Sequence, residues 1–176
     1  SRAAFKLIEL NKKYKFIKKN TKILDLGAYP GGWTQVMNKI ITKGRIVAID
    51  LKKMNELKNV EFLQCDFTNE KTKEKIFEIF KDNIDVVTSD MAADTTGNKS
   101  LDCIRTNKLC SDVINFSTKV LKKDGILVSK LFMGDDFLEV KSLAKSKFEK
   151  VDFFKPEASR SESKETYLHC AILKTL

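Results

Sequence analysis

The chain has 176 residues, of which 42% are hydrophobic and 32% charged, and a formal net charge of +9. This length and apolar share support one domain over 1–176 with a substantial core, and exclude a disordered or fibrous chain. No apolar run reaches the length of a membrane span, and four scattered cysteines with the single His169 give no zinc-binding spacing, so neither a membrane protein nor a metal site is expected.

The cysteines read as reduced intracellular thiols, with Cys65 and Cys170 as small core residues. The positive charge is concentrated: residues 1–22 carry Arg2, Lys6, Lys12, Lys13, Lys15, Lys18, Lys19 and Lys22 against Glu9 alone. Such a segment points to a polyanionic partner, either nucleic acid or an anionic membrane face. Tyr14 and Phe16 within it are open to two uses, stacking on a base or packing in the core.

In chain order, residues 2–11 read as a helix with Ala4, Leu7, Ile8 and Leu10 on one face. A basic connector, 12–20, leads to a strand at 22–26. The turn Gly27-Ala28-Tyr29-Pro30-Gly31-Gly32 follows, then a helix over 34–41. A strand, a glycine turn and a helix make a place where backbone approaches a ligand closely. Strands are expected at 45–50 and 60–64, then a helix capped by Thr68 with Glu70 in its first turn. A strand at 84–89 ends at Asp90. A polar loop, 91–100, is long enough to be a lid. A helix over 101–122 stops at Lys123-Asp124-Gly125. A strand at 125–132, a helix at 135–147, and strands at 149–155 and 166–173 joined by a serine-rich loop complete the chain. The alternation predicts an α/β fold: a mostly parallel seven-stranded sheet with helices on both faces and an antiparallel C-terminal hairpin at one edge.

In such sheets ligands bind beyond the carboxyl ends of the strands. Asp50, Asp66 and Asp90 all fall there. A carboxylate can accept from both hydroxyls of a ribose, which suits Asp50, and Asp66 or its neighbouring backbone can meet an adenine amino group. The turn is neither a dinucleotide fingerprint nor a phosphate loop. An adenosine compound without a pyrophosphate fits better, and S-adenosylmethionine is the candidate.

Five stretches carry a resemblance. They are Ser1-Arg-Ala-Ala-Phe-Lys-Leu7, Asp25-Leu-Gly-Ala-Tyr-Pro-Gly-Gly-Trp33, Ser89-Asp-Met-Ala92, Ser129-Lys-Leu-Phe132 and Ser159-Arg-Ser with Lys164-Glu-Thr-Tyr167. In order and end to end, they resemble the FtsJ/RrmJ family of S-adenosylmethionine-dependent RNA ribose 2′-O-methyltransferases. The resemblance implies a Rossmann-like methyltransferase fold and a catalytic set of Lys6, Asp90, Lys130 and Glu165. It implies cofactor contacts at Gly27, Gly31, Gly32, Trp33, Asp50, Asp66 and Asp90, and RNA contacts at Arg2, Lys12, Lys13, Lys15, Lys18 and Lys19. It further implies a cytoplasmic monomer acting on a uridine of large-subunit ribosomal RNA. A transfer-RNA or cap-directed enzyme, and an RNA-binding protein without turnover, are the alternatives. Tyr29 and Ala93-Asp94 depart from the family pattern of alanine and Pro-Asn at those positions.

Overall fold

The computed structural model describes residues 1–81 and 83–175. The apolar runs form β1 (Lys22–Leu26), β2 (Arg45–Asp50), β3 (Val60–Gln64), β4 (Ile84–Ser89), β5 (Leu121–Phe132), β6 (Phe148–Phe154) and β7 (Glu165–Leu173). The helices are α1 (Arg2–Tyr14), α2 (Gly32–Ile40), α3 (Glu70–Phe80), α4 (Lys99–Val120) and α5 (Phe137–Lys147). The strands make one sheet in the order β3-β2-β1-β4-β5-β7-β6. Strands β1 to β5 pair in parallel, while β7 runs antiparallel to both β5 and β6. The expected C-terminal hairpin is present, but its second strand is internal and β6 forms the edge.

Alternate side chains of each strand enter opposite faces of the sheet. Leu24, Val47, Val87 and Leu127 pack with α3, α4 and α5 in one core, whereas Ile23, Ile46, Val86 and Val128 pack with Leu7 and Leu10 of α1 and Met37 of α2 in the other. Both faces are covered, which explains the near-continuous apolar runs. No helix among the described residues is long and apolar enough to cross a membrane.

Several boundaries differ from those expected by a residue or more, and three of the differences have a visible cause. Helix α1 continues to Tyr14, whose hydroxyl donates to Asp152 at 2.6 Å and whose ring stacks on His169 at 3.9 Å. Lys15 ends it in the left-handed conformation (φ 51°). Tyr14 and the buried Phe16 are thus both used for packing. Helix α4 stops at Val120 because Leu121 already pairs with Ile84, and a bulge in the pairing absorbs 122–125. The cap of α3 is Asn69, not Thr68, since Asp66 Oδ1 holds both the Thr68 backbone N–H and its hydroxyl. The 91–98 loop is also fastened: Thr106 accepts from Ala93 N–H, and Asp102 accepts from the backbone and hydroxyl of Thr96.

Candidate active site

The turn after β1 places two glycines at positive φ, Gly27 at 67° and Gly31 at 114°, where a side chain would strain the backbone. A Cβ on Gly27 would lie 2.0 Å from Met91 Cγ, and one on Gly32 would lie 3.1 Å from Ser1 Oγ. The missing side chains thus make room for Met91 and for the start of α1. Trp33 is buried; its indole N–H donates to the Ala3 carbonyl at 2.8 Å and its ring lies 5.6 Å from that of Tyr167. Gly31, Gly32 and Trp33 shape the turn but are not among the residues lining the cavity beside it.

That cavity, about 850 Å³, is bordered by Gly27, Tyr29, Asp50, Asp66, Asp90 and Met91 among others. Asp50 accepts from the Tyr29 N–H at 2.9 Å and the Lys52 N–H at 2.8 Å, one on each oxygen. It therefore anchors the turn and keeps a lone pair on each oxygen for vicinal hydroxyls. Below the turn, Asp25 is only 1% exposed and accepts from Thr34 Oγ1 at 2.8 Å and Thr88 Oγ1 at 2.9 Å. Burial pushes its carboxyl up to about 7, against the two threonine hydrogen bonds. Size and donor set both suit an adenosine compound.

Asp90 also borders a second group. Lys130 and Tyr167 stand opposite each other across the β5–β7 ladder, and Glu165 is opposite Phe132. Residues two apart on one strand share a face, so Glu165 and Tyr167 both meet Lys130. The Lys130 ammonium is 3.4 Å from Asp90 Oδ1 and 3.4 Å from Glu165 Oε1. Lys6 of α1 is held closer, with its Nζ 2.7 Å from Glu165 Oε2. Tyr167 donates to Asp90 Oδ1 at 2.5 Å, and the Ser159 hydroxyl donates to Glu165 Oε2 at 2.7 Å. Each acid is thus fixed on one side while Lys130 lies between them.

The two acids are driven in opposite directions. Burial raises Asp90 despite the charge of Lys130 and the hydrogen bond from Tyr167. Burial also acts on Glu165, but the Lys6 hydrogen bond, the Lys130 charge and Ser159 together hold its carboxyl below the ordinary value. Burial, helped by the charges of Asp90 and Glu165, keeps the proton on Tyr167.

The four residues of the expected catalytic set therefore come together in space. Tyr167 and Ser159 join the same cluster, although sequence reasoning assigns them no role. Both stand in stretches that carry the family resemblance, and Tyr167 has a further signal in its strand spacing of two from Glu165. Arg2, Lys12, Lys13, Lys15, Lys18 and Lys19 are all exposed. The connector beneath them is pinned by buried Phe16 and Ile17 and by the Asn11 side chain, which accepts from the Ile17 N–H at 2.9 Å.

Asp90 borders both the adenosine-sized cavity at the strand ends and the cluster of paired lysines and acids, an arrangement that suits an S-adenosylmethionine-dependent methyltransferase. The FtsJ-like methyltransferase family model matches residues 1–173, and the chain belongs to that family. It is 45% identical over 174 residues to a ribosomal RNA large subunit methyltransferase E of Pelagibacter ubique, covering 99% of this chain and 86% of the relative. The enzyme of the same name from Rickettsia akari is also 45% identical, with 96% and 77% covered. A crystal structure of a ribosomal RNA methyltransferase from Plasmodium falciparum superposes with a TM-score of 0.86 at 34% identity, covering 98% of this chain and 97% of the other.

Proposed function

We propose that this chain transfers a methyl group from S-adenosylmethionine to the ribose 2′-hydroxyl of a uridine in large-subunit ribosomal RNA. The observation that carries the reading is the double position of Asp90, which borders the cavity and touches Lys130. A methyl held at that end of the cavity and a hydroxyl held at Lys130 meet at one place. The relatives named for ribosomal RNA supply the substrate class.

The methyl donor supplies an electrophilic carbon on a sulfonium. The protein must then align a weak oxygen nucleophile with it, and such positioning supplies about 7–11 kcal/mol in favourable cases. Asp50 grips the donor's ribose, Asp66 and its backbone meet the adenine, and Gly27 lies beside them. Lys130, held loosely between two acids, orients the hydroxyl and steadies the charge developing on its oxygen. The released proton passes to the Asp90 carboxylate, whose protonated form burial favours and which lies beside Lys130. Lys6 holds Glu165 ionised and in place.

Arg2, Lys12, Lys13, Lys15, Lys18 and Lys19 bind RNA phosphates. Along α1, 13 residues at about 1.5 Å each separate Arg2 from Lys15 by roughly 20 Å, so the RNA lies along this helix. The protein works as a single methyltransferase domain, a monomer, in the cytoplasm. Transfer of labelled methyl to large subunits, free ribosomal RNA and transfer RNA tests the proposal. Label on a uridine 2′-oxygen of large-subunit RNA is expected; label confined to transfer RNA, or to a base, would refute it.

A further inference from the structure

The loop between β6 and β7 is held at more points than a surface connection requires. Glu9 of α1 accepts the backbone N–H of Glu157 at 2.8 Å and of Ala158 at 2.9 Å, one on each carboxylate oxygen. The Pro156 carbonyl accepts the Ser159 N–H at 3.0 Å. Lys155 Nζ donates to the carbonyls of Ser161 and Ser163. At the end of this fastened path Ser159, 6% exposed, donates to the same Glu165 oxygen that Lys6 holds. Lys6 and Glu9 lie three residues apart and so share one face of α1. One helix thus grips Glu165 directly through Lys6, and indirectly through Glu9, the loop and Ser159.

We propose that Glu9 and Ser159 are positioning residues for methyl transfer, with Glu9 locking the loop and Ser159 fixing the Glu165 carboxylate against Lys130. Every polar group around that carboxylate then has a part. Lys6 from α1 and Ser159 from the loop fix one oxygen, Lys130 from β5 faces the other, and Asp90 and Tyr167 close the far side. A second donor on Oε2 leaves Oε1 turned toward Lys130. Without Ser159, Lys6 alone holds Oε2, and the carboxylate turns more freely against Lys130, the ammonium that meets the substrate. Because a hydrogen bond to an ionised carboxylate favours the ionised form, removing Ser159 raises the pH below which Glu165 is neutral.

The inference rests on the part given above to Glu165, and the two are separable by experiment. Ser159→Ala is expected to lower kcat about tenfold, the lower end of what a hydrogen bond to a charged group is worth. KM for RNA and cofactor affinity should stay unchanged, and the acid limb of the rate profile should move up by about one pH unit. Ser159→Thr, which keeps the hydroxyl, should restore both. Glu9→Ala should speed amide exchange at Glu157 and Ala158 and produce the same acid-limb shift, and the double variant should be no slower than Ser159→Ala. Four results overturn the proposal: a wild-type rate and profile in Ser159→Ala, a reduced rate with an unmoved acid limb, no rescue by threonine in a variant that melts like wild type, or multiplying effects of Glu9→Ala and Ser159→Ala. Full activity in Glu165→Gln would sink both this proposal and the assignment of Glu165. A dead Glu165→Gln with an unaffected Ser159→Ala would sink only this one.

Discussion

Replacing Asp25 by asparagine should stabilise the protein at alkaline pH and change little in acid. Asp25 lies inside the sheet, where burial raises its carboxyl to about 7, whereas an unfolded chain titrates it near about 3.9. The folded state therefore binds this proton more tightly than the unfolded state. Stability falls as pH rises through the window from about 4 to about 7, and is level above it. A difference of about three pH units at roughly 1.4 kcal/mol each makes the ionised group unfavourable by about 4 kcal/mol at pH 8. Asparagine has nearly the same shape. Its oxygen can accept from one threonine hydroxyl while its amide donates to the other, so the links to Thr34 and Thr88 persist. Urea unfolding of both proteins at pH 4.5, 6 and 8, at constant m, is the assay. The gap between the midpoints should open as pH rises, because all other titrating groups are common to both. A gap that is the same at all three values, or a variant less stable at pH 8, would show that Asp25 is carried ionised at no penalty.

Other expectations concern the site. Lys130→Ala should reduce methyl transfer by about 10²–10⁴-fold with cofactor affinity nearly unchanged in calorimetry; intact transfer would remove Lys130 from the mechanism. Asp50→Ala, which removes charged hydrogen bonds worth about 1.5–3 kcal/mol, should weaken S-adenosylmethionine binding about 10–100-fold, and equal affinity would end the ribose-clamp assignment. Binding to single-stranded RNA should weaken with salt, and Lys18→Gln with Lys19→Gln should flatten the log–log slope by about 0.7 for each phosphate no longer neutralised. An unchanged slope would move the RNA elsewhere.

The strands are legible in the sequence because burial on both sheet faces imposes unbroken apolar runs, as in Ile46–Ile49. The four charged catalytic candidates are legible only through the family motifs. Nothing in the spacing of Lys6 and Glu165 brings them together; α1 does so by docking Leu7 and Leu10 into one core. Asp25 reads as part of a ligand turn, but its partners, Thr34 and Thr88, are on other elements and become visible only in three dimensions. The glycine turn reads as room for a ligand, while Met91 and Ser1 occupy the space that Gly27 and Gly32 leave. Local patterns record which face is buried. They do not record which neighbour fills a gap, and the contact of Ser159 with Glu165 escapes a reading of the sequence for the same reason.

The strand order has a consequence for a chain still being made. β7 is the last strand in sequence, yet it inserts between β5 and β6. Until residues 165–173 have left the ribosome, β5 has an open edge and Lys130 has no Glu165. Synthesis proceeds from the N-terminus, so the basic segment, the turn and the cavity all emerge first. Helix α1 and the turn also lean on β7, through Tyr14 on His169 and Trp33 beside Tyr167, so their packing too is completed by this strand. The cluster is complete only with this strand beside β5, where Glu165 meets Lys6.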